Sequence, residues 1–195
     1  MYDYITGTLV QLTPTDAVVE NNGIGYRLEI SLQTYTGIQG KTDVRLFIHH
    51  HVREDAQLWY GFADQDERAI FIQLIGVSGI GPNTARMMLS SMTSDEIRTA
   101  IIGGDVNRIK SIKGIGLKTA QRVIIDLKDK IAKGSSSGTG IPLPGAAPGC
   151  RDEALSALVL LGFNKGAAEK VLNGLLKENA AYSLEELIKL SLKRL

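Results

Sequence analysis

A glycine motif that occurs twice in the chain constrains the fold more than any other feature of the sequence. Its copies, residues 77–85 and 112–120, match at both glycines, at the isoleucine between them and at the Thr-Ala that follows. Glycine permits backbone conformations with positive φ and lets the main chain come close to a ligand. Helical patterns stand before and after each copy, so the repeat predicts two tight turns, each joining two helices.

Each predicted turn has the chemistry of an anion site. The helix that begins after the second glycine directs unpaired backbone N–H groups and the positive end of its dipole at one spot. A phosphate group is the natural ligand there. Lys113 and Lys118 add positive charge to the second turn, whereas Asn83 offers the first turn only an amide and Pro82 has no N–H to donate. We therefore expect the second turn to bind more strongly.

Other glycine motifs fit the repeat less well. A nucleotide-binding P-loop needs a preceding strand and a wider spacing between its glycines. A dinucleotide fingerprint also follows a strand and has Gly or Ala where Thr84 and Thr119 stand. Two helix turns that bind no ligand remain an alternative on the pattern alone.

Contacts to phosphate carry no base-sequence information, so we expect binding that depends on DNA shape and on salt.

The distribution of charge favours the second turn as the place where a polyanion binds. The whole chain has a formal net charge of +1, which predicts no attraction to nucleic acid. By segment, the balance is −3 for residues 1–63, +3 for residues 64–134 and +1 for residues 135–195. Residues 108–133 hold eight basic side chains against Asp126 and Asp129. This local excess of positive charge surrounds the second turn.

The first 63 residues have the pattern of a small β-barrel. Alternating hydrophobic residues predict strands at residues 4–13, 17–21, 25–31, 44–52 and 58–62. Asn22-Gly23 predicts a hairpin turn between the second and third strands. Three consecutive histidines, His49 to His51, lie in the fourth strand. Adjacent strand residues point to opposite faces and no cysteine is near, so we interpret them as ordinary strand residues and expect no metal site.

The remainder of the chain has helical patterns in two parts. They predict helices at residues 68–75, 82–90, 94–102, 106–112 and 117–133, and again at 152–161, 165–179 and 184–195. Residues 135–149 are uncharged and rich in Gly, Ser and Pro, which predicts a flexible linker. The predicted fold class is α+β and multidomain, with domains at 1–63, 64–134 and 150–195.

Two absences set expectations about the protein's surroundings. No apolar run is long enough to cross a bilayer and the N-terminus lacks the pattern of a secretory signal, so we expect a cytoplasmic protein with no membrane partner. Cys150 is the single cysteine of the chain, which excludes an internal disulfide, and its neighbours predict an inert thiol.

The chain resembles the RuvA family, whose members bind Holliday junctions. The resemblance is carried by the tandem Gly-Ile-Gly turns, by the Arg-Glu-Asp sequence within residues 52–62, and by the Gly-rich segment before a small helical domain. It covers the whole chain. It implies a five-stranded barrel of the oligonucleotide/oligosaccharide-binding (OB) type, an all-α tandem helix-hairpin-helix domain, and a C-terminal three-helix domain similar to ubiquitin-associated domains.

The resemblance also implies the residues of the site. Glu54 and Asp55 would form an acidic pin at the centre of the junction, where carboxylates repel phosphates and help to separate the duplex arms. Arg53 would add a backbone contact beside the pin. The implied phosphate-binding residues are Ser78, Gly79, Gly81, Asn83 and Thr84 in the first turn, and Gly114, Gly116, Lys118 and Thr119, with Lys113 beside them, in the second.

The family implies a non-catalytic scaffold without a cofactor. It would hold a four-way junction open and planar and work with the RuvB ATPase in branch migration during recombination and DNA repair. RuvB would dock on the C-terminal domain. Whether the RuvC resolvase is a further partner stays open. The resemblance implies assembly around a four-fold axis, and the choice between a homotetramer and an octamer stays open.

Two other functions compete with this interpretation. A helix-hairpin-helix nuclease or glycosylase needs catalytic side chains, and for a metal-dependent nuclease these are converging carboxylates. Asp126 and Asp129 instead have i, i+3 spacing on a helix among lysines, a pattern typical of surface ion pairs. The third hypothesis is an adaptor that uses the C-terminal domain and binds no DNA.

Overall fold

Five strands near the N-terminus close into a barrel in the order β1-β2-β3-β5-β4. In the computed structural model, which describes residues 2–134, 150–179 and 182–195, they span Tyr4–Leu12 (β1), Asp16–Asn21 (β2), Ile24–Ile30 (β3), Asp43–Val52 (β4) and Gln57–Phe62 (β5). Strands β3 and β5 pair in parallel, and the other pairs are antiparallel. The predicted barrel is confirmed.

The alternation of β4 explains how the barrel acquires its core. Val44, Leu46 and Ile48 point inward and are buried. His49 lies on the opposite face, where its ring packs against Phe71 with the ring centroids 5.4 Å apart. The predicted turn between β2 and β3 is also confirmed, since Asn22 has φ 50° and Gly23 has φ 80°.

A short helix, α1 (Leu32–Ile38), lies between β3 and β4, where the sequence pattern indicated no helix. Its sequence includes threonine, tyrosine and glycine, which are weak helix formers. The helix is held by its first residues and by packing: the Ser31 hydroxyl accepts the Thr34 N–H at 3.0 Å, and Thr34 and Ile38 are buried.

The helices that follow the barrel are α2 (Gln65–Ile75), α3 (Pro82–Ser91), α4 (Ser94–Gly103), α5 (Val106–Lys110) and α6 (Leu117–Gly134). Helix α2 begins earlier than predicted because the Asp64 carboxylate accepts the Glu67 N–H at 2.7 Å. Helix α5 ends before the predicted residue 112, since the chain tightens there into the second glycine turn. The capping box of Thr93 and Glu96 starts α4.

The barrel and these helices lie in one compact unit, Met1–Gly138. The apolar cluster of the helices takes in Tyr60 and Phe62 of β5, which pack with Phe71 of α2. The core of the helical part is therefore continuous with the end of the barrel. The domain limit at residues 63 and 64 stays a prediction.

The second compact unit is Thr139–Leu195. Its described helices are α7 (Cys150–Leu160), α8 (Lys165–Glu178) and α9 (Leu184–Arg194). Asn164 caps α8, and Ser183 with Glu186 forms a capping box at α9. A small leucine-rich core holds the helices together. The predicted flexible linker, residues 135–149, lies outside the described residues. Among the described helices, none is long and apolar enough to span a bilayer.

Candidate nucleic-acid interface

The two glycine turns have nearly the same backbone geometry. Gly79 has φ +94° and Gly114 has φ +89°. Residues with a Cβ atom rarely adopt this positive-φ conformation. In each turn the isoleucine between the glycines donates its N–H to the carbonyl three residues earlier, at 3.0 Å in the first turn and 3.1 Å in the second. A positive φ at the third position of such a turn is the signature of type II geometry. The sequence repeat is therefore also a structural repeat.

A helix begins immediately after each turn. Gly81 precedes α3 without a side-chain cap, and Gly116 precedes α6. The first intrahelical bonds to these glycines come from the N–H groups of Ala85, at 3.0 Å, and Ala120, at 2.9 Å. The amides between each glycine and that alanine belong to the first helical turn, where N–H groups have no intrahelical partner. Pro82 supplies no N–H, so the first turn has fewer amides to offer than the second.

The predicted phosphate-binding residues lie at the surface. Thr84 and Thr119 are half-buried, and the other predicted residues of the two turns are exposed. The isoleucines between the glycines are buried, with exposed fractions of 4% for Ile80 and 5% for Ile115. Each turn is thus anchored by its isoleucine and presents its glycines to solvent.

The structure brings the two turns together. A Cβ atom at Gly79 would lie 3.7 Å from Cγ2 and 3.8 Å from Oγ1 of Thr119, which is in the first turn of α6. The first glycine turn therefore lies beside the start of α6, the helix that follows the second glycine turn.

The positive charge at the second turn is smaller than the sequence count suggests. Arg108 forms an ion pair with Glu96 at 2.7 Å, which compensates one of the basic side chains counted there. Lys113 and Lys118 are exposed and form no ion pair with any described residue. Lys110 and Arg122 are also exposed and form no ion pair with any described residue. They belong to the same basic run but were not predicted as site residues. These four cations are free to meet an anion.

The surface ion pairs predicted for Asp126 and Asp129 are not formed with described residues. Both carboxylates are exposed on α6, where water solvates them. The exposed position expected for both carboxylates is thus observed, while their pairing stays a prediction.

The predicted acidic pin forms the tip of the β4–β5 hairpin. Val52 pairs with Gln57, and the Arg53 N–H donates to the Ala56 carbonyl at 2.8 Å, which closes the loop. Glu54 and Asp55 are exposed at that tip. Among the described residues no ion pair neutralises either carboxylate. The tip is therefore a concentrated negative charge that faces solvent.

Arg53 is directed back toward β4. Its Nε donates to Nε2 of His51 at 3.0 Å, and the side chain is exposed. Among the described residues, this hydrogen bond holds the arginine at the hairpin, apart from the other predicted phosphate-binding residues. Its remaining guanidinium donors are available to a ligand at the hairpin.

The three histidines divide between the two faces of β4. His50 packs edge-on against Trp59, while His49 and His51 share the other face with ring centroids 6.2 Å apart. In the described part of the chain, no group of three or more His, Cys, Asp or Glu residues is arranged to hold a metal ion. Burial lowers the pKa of His49, and the positive charges of His51, His50 and Arg68 lower it further.

Three models of protein families match successive parts of the chain. They are the RuvA N terminal domain over residues 1–61, a SAM-like helix-hairpin-helix tandem over residues 71–129 and the RuvA C-terminal domain over residues 150–195.

Curated relatives match over the full length. A protein of Bacteroides thetaiotaomicron is 48% identical over 201 residues, one of Bacteroides fragilis is 47% identical over 201 residues, and one of Christiangramia forsetii is 46% identical over 195 residues. Each alignment covers 100% of both chains. All three relatives are named Holliday junction branch migration complex subunit RuvA.

Proposed function

The chain belongs to the RuvA family, and from this membership we propose that it binds Holliday junctions and acts in their branch migration. The observation that carries the proposal is the pair of exposed turns at Gly79 and Gly114, whose adjoining helices begin with unpaired amides. The resemblance inferred from the sequence agrees with the family found by comparison.

We propose that the two turns bind the sugar-phosphate backbone of a duplex arm. Backbone amides and the positive ends of α3 and α6 attract phosphate oxygens, and Lys113 and Lys118 add full positive charges at the second turn. Such contacts read no bases, so any sequence with the right shape is accepted. Because cations are released from DNA when lysines replace them, affinity falls as salt rises.

The acidic hairpin has the opposite task. Glu54 and Asp55 stand at a tip that repels phosphates, because like charges at short range raise the electrostatic energy. A tip of this kind, placed where four strands exchange, keeps the strands apart and the junction open and planar. Arg53 at the base of the tip binds a neighbouring phosphate.

The proposed assembly follows from the family. Several copies, as a homotetramer or an octamer, surround the junction so that each arm meets a pair of turns. The C-terminal unit docks on the RuvB ATPase, which hydrolyses ATP and drives migration, and RuvC is a further proposed partner. Exposed apolar side chains at the end of α7, Val159, Leu160 and Leu161, are candidates for a docking contact. The chain itself is non-catalytic.

The test compares a synthetic four-way junction with a linear duplex of the same sequence. The proposal expects tighter binding to the junction, weakened by salt, and no ATP hydrolysis by the purified chain. Equal binding to both substrates would contradict the proposed junction preference, and binding to neither would support the adaptor hypothesis instead. Magnesium-dependent cleavage of the junction by the pure chain would support the nuclease alternative, which the family does not favour.

A further inference from the structure

A buried carboxylate lies where the barrel meets the helices. Glu67, in the first turn of α2, has an exposed fraction of 0%. It is the one carboxyl group among the buried side chains that the structure describes. Burying a carboxylate is costly unless hydrogen bonds replace its water.

Two hydroxyl groups supply those hydrogen bonds. Ser31 donates to Oε1 of Glu67, and Thr34 donates to Oε2 at 2.6 Å. Each hydroxyl also accepts a backbone N–H: Ser31 from Thr34 at 3.0 Å, and Thr34 from Ala63 at 3.1 Å. The hydroxyl hydrogens point at the carboxylate, which accepts at both oxygens. A carboxylate is the side chain that accepts at both ends, whereas an amide accepts at only one.

This network joins three parts of the chain that lead to the two proposed DNA-contacting features. Ala63 directly follows β5, which runs from the acidic hairpin at residues 53–56. Helix α2, which carries Glu67, runs to the first glycine turn. Helix α1, with Thr34, packs on α3, the helix after that turn. Glu67 therefore lies at the point where hydrogen bonds join the segments that lead to the hairpin and to the glycine turns.

Besides the buried packing of Tyr60 and Phe62 on Phe71, other polar links cross the same boundary, but they are more exposed. Arg68 donates to the Asp3 side chain and to its carbonyl oxygen, at 2.6 Å and 2.8 Å, and Arg86 of α3 pairs with Glu29 of β3. The two arginine side chains have exposed fractions of 18% and 21%, and their carboxylate partners are more exposed still. Water screens such pairs, so their contribution to a fixed orientation is small. The Glu67 network is fully out of water.

We propose that Glu67 is a positioning residue: through Ser31 and Thr34 it sets the orientation of the glycine turns relative to the acidic hairpin, and preference for a four-way junction over a linear duplex depends on it. The inference rests on the proposed function. A linear duplex needs only the turns, whereas a junction needs the turns and the hairpin in one fixed geometry. Burial raises the pKa of Glu67, and the two hydroxyl bonds oppose that rise.

The test uses the full chain with Glu67→Gln, which keeps the shape of the side chain but removes one acceptor. We expect unchanged affinity for linear duplex and a loss of junction preference of about tenfold, the effect of one lost charge-assisted bond. Thr34→Val removes the hydroxyl that donates to Glu67, at nearly constant side-chain volume, and is expected to give the same loss. The double variant is expected to lose no more than either single variant, because the residues act as one unit. Glu20→Gln, at an exposed carboxylate of β2, is the control and keeps the preference.

A distance measurement separates positioning from a merely structural role. Spin labels at Gln57→Cys and Lys110→Cys, in a Cys150→Ser background diluted with unlabelled chain, report the separation of hairpin and turns without DNA. We expect a broader distance distribution in Glu67→Gln than in the unaltered protein. Equal widths, or a Glu67→Gln variant that keeps full junction preference, would overturn the inference. An unaltered protein that shows no junction preference would instead overturn the proposed function, while the distance widths would still decide the positioning role.

Discussion

The Cβ position of Gly79 lies 3.7 Å from Cγ2 of Thr119, although the two residues belong to different copies of the glycine motif. This contact joins the first turn to the start of α6 and makes the two turns neighbours on one surface. A phosphate backbone that reaches one turn is then close to the other.

Gly114→Ala is expected to lower both stability and DNA binding. Gly114 has φ +89°, and a Cβ atom there would meet no atom within 4 Å, so the penalty is backbone strain alone. That strain costs about 1–2 kcal/mol. Urea unfolding measures the free energy, and a titration with junction DNA measures the affinity.

Gly116→Ala separates the fold from the ligand. Gly116 lacks a positive φ and also has open space at its Cβ position. We expect nearly unchanged stability but weaker junction binding, since the methyl group stands where a phosphate approaches the amides. Gly103→Ala, at the end of α4 with equally open space, is the control that changes neither binding nor the turn. Full affinity in Gly116→Ala would place the phosphate elsewhere.

Lys118→Ala is expected to weaken junction binding and to lower the salt dependence. Lys118 is exposed in the first turn of α6. Removal of one phosphate-bound lysine reduces the slope of log affinity against log salt by about one unit. Lys189→Ala, at an exposed position of α9, is the control with an unchanged slope. Identical affinity of Lys118→Ala and the unaltered chain at every salt concentration would show that Lys118 is not at a phosphate.

Neutralising the acidic tip is expected to preserve or tighten binding. The double variant Glu54→Gln with Asp55→Asn removes two exposed negative charges without changing side-chain shape. Because repulsion disappears, phosphates can approach the tip. We expect an altered shape of the bound junction, measured by fluorescence energy transfer between labelled arms, and an altered migration rate with RuvB. A loss of binding would contradict the repulsive role.

Stability is expected to fall in mild acid because of His49. Burial lowers the pKa of His49 from its ordinary value of 6.5, with added effects of His51, His50 and Arg68. The unfolded chain then binds the proton more tightly than the folded protein. The stability from His49 is therefore complete above pH 6.5 and is lost as the pH falls from there through the lowered pKa.

The variant His49→Phe isolates this effect. Its ring keeps the contact with Phe71 but cannot titrate. Urea unfolding at about pH 8 and about pH 5 should show a smaller loss of stability in the variant than in the unaltered chain. Equal losses in both proteins would show that His49 titrates normally in the folded state.

Features set by local chemistry were predictable from the sequence. Asn22-Gly23 and the two Gly-Ile-Gly motifs predicted their turns because only a few residue types tolerate positive φ. The capping box of Thr93 and Glu96 is local as well, because its two residues are three positions apart in the sequence. The alternation of β4 separated its inward and outward faces.

Features set by distant residues were not predictable. Helix α1 has poor intrinsic propensity and depends on packing against α3. Glu67 lies in the first turn of α2, where an acidic residue is usually exposed. It is instead buried and accepts hydrogen bonds from Ser31 and Thr34, which lie more than 30 residues earlier in the chain. Arg108 was counted as a free cation because its partner Glu96 lies in another helix. Single-sequence patterns carry no information on such pairs.

Hydrogen–deuterium exchange of the full chain, with and without a saturating four-way junction, shows whether both glycine turns contact DNA. Amides in the first turns of α3 and α6 have no intrahelical partner and exchange quickly in the free protein. We expect DNA to slow exchange in residues 79–84 and 114–119 together, while residues 54–55 at the hairpin tip continue to exchange quickly. Unchanged exchange in both glycine turns with the junction bound would contradict this expectation.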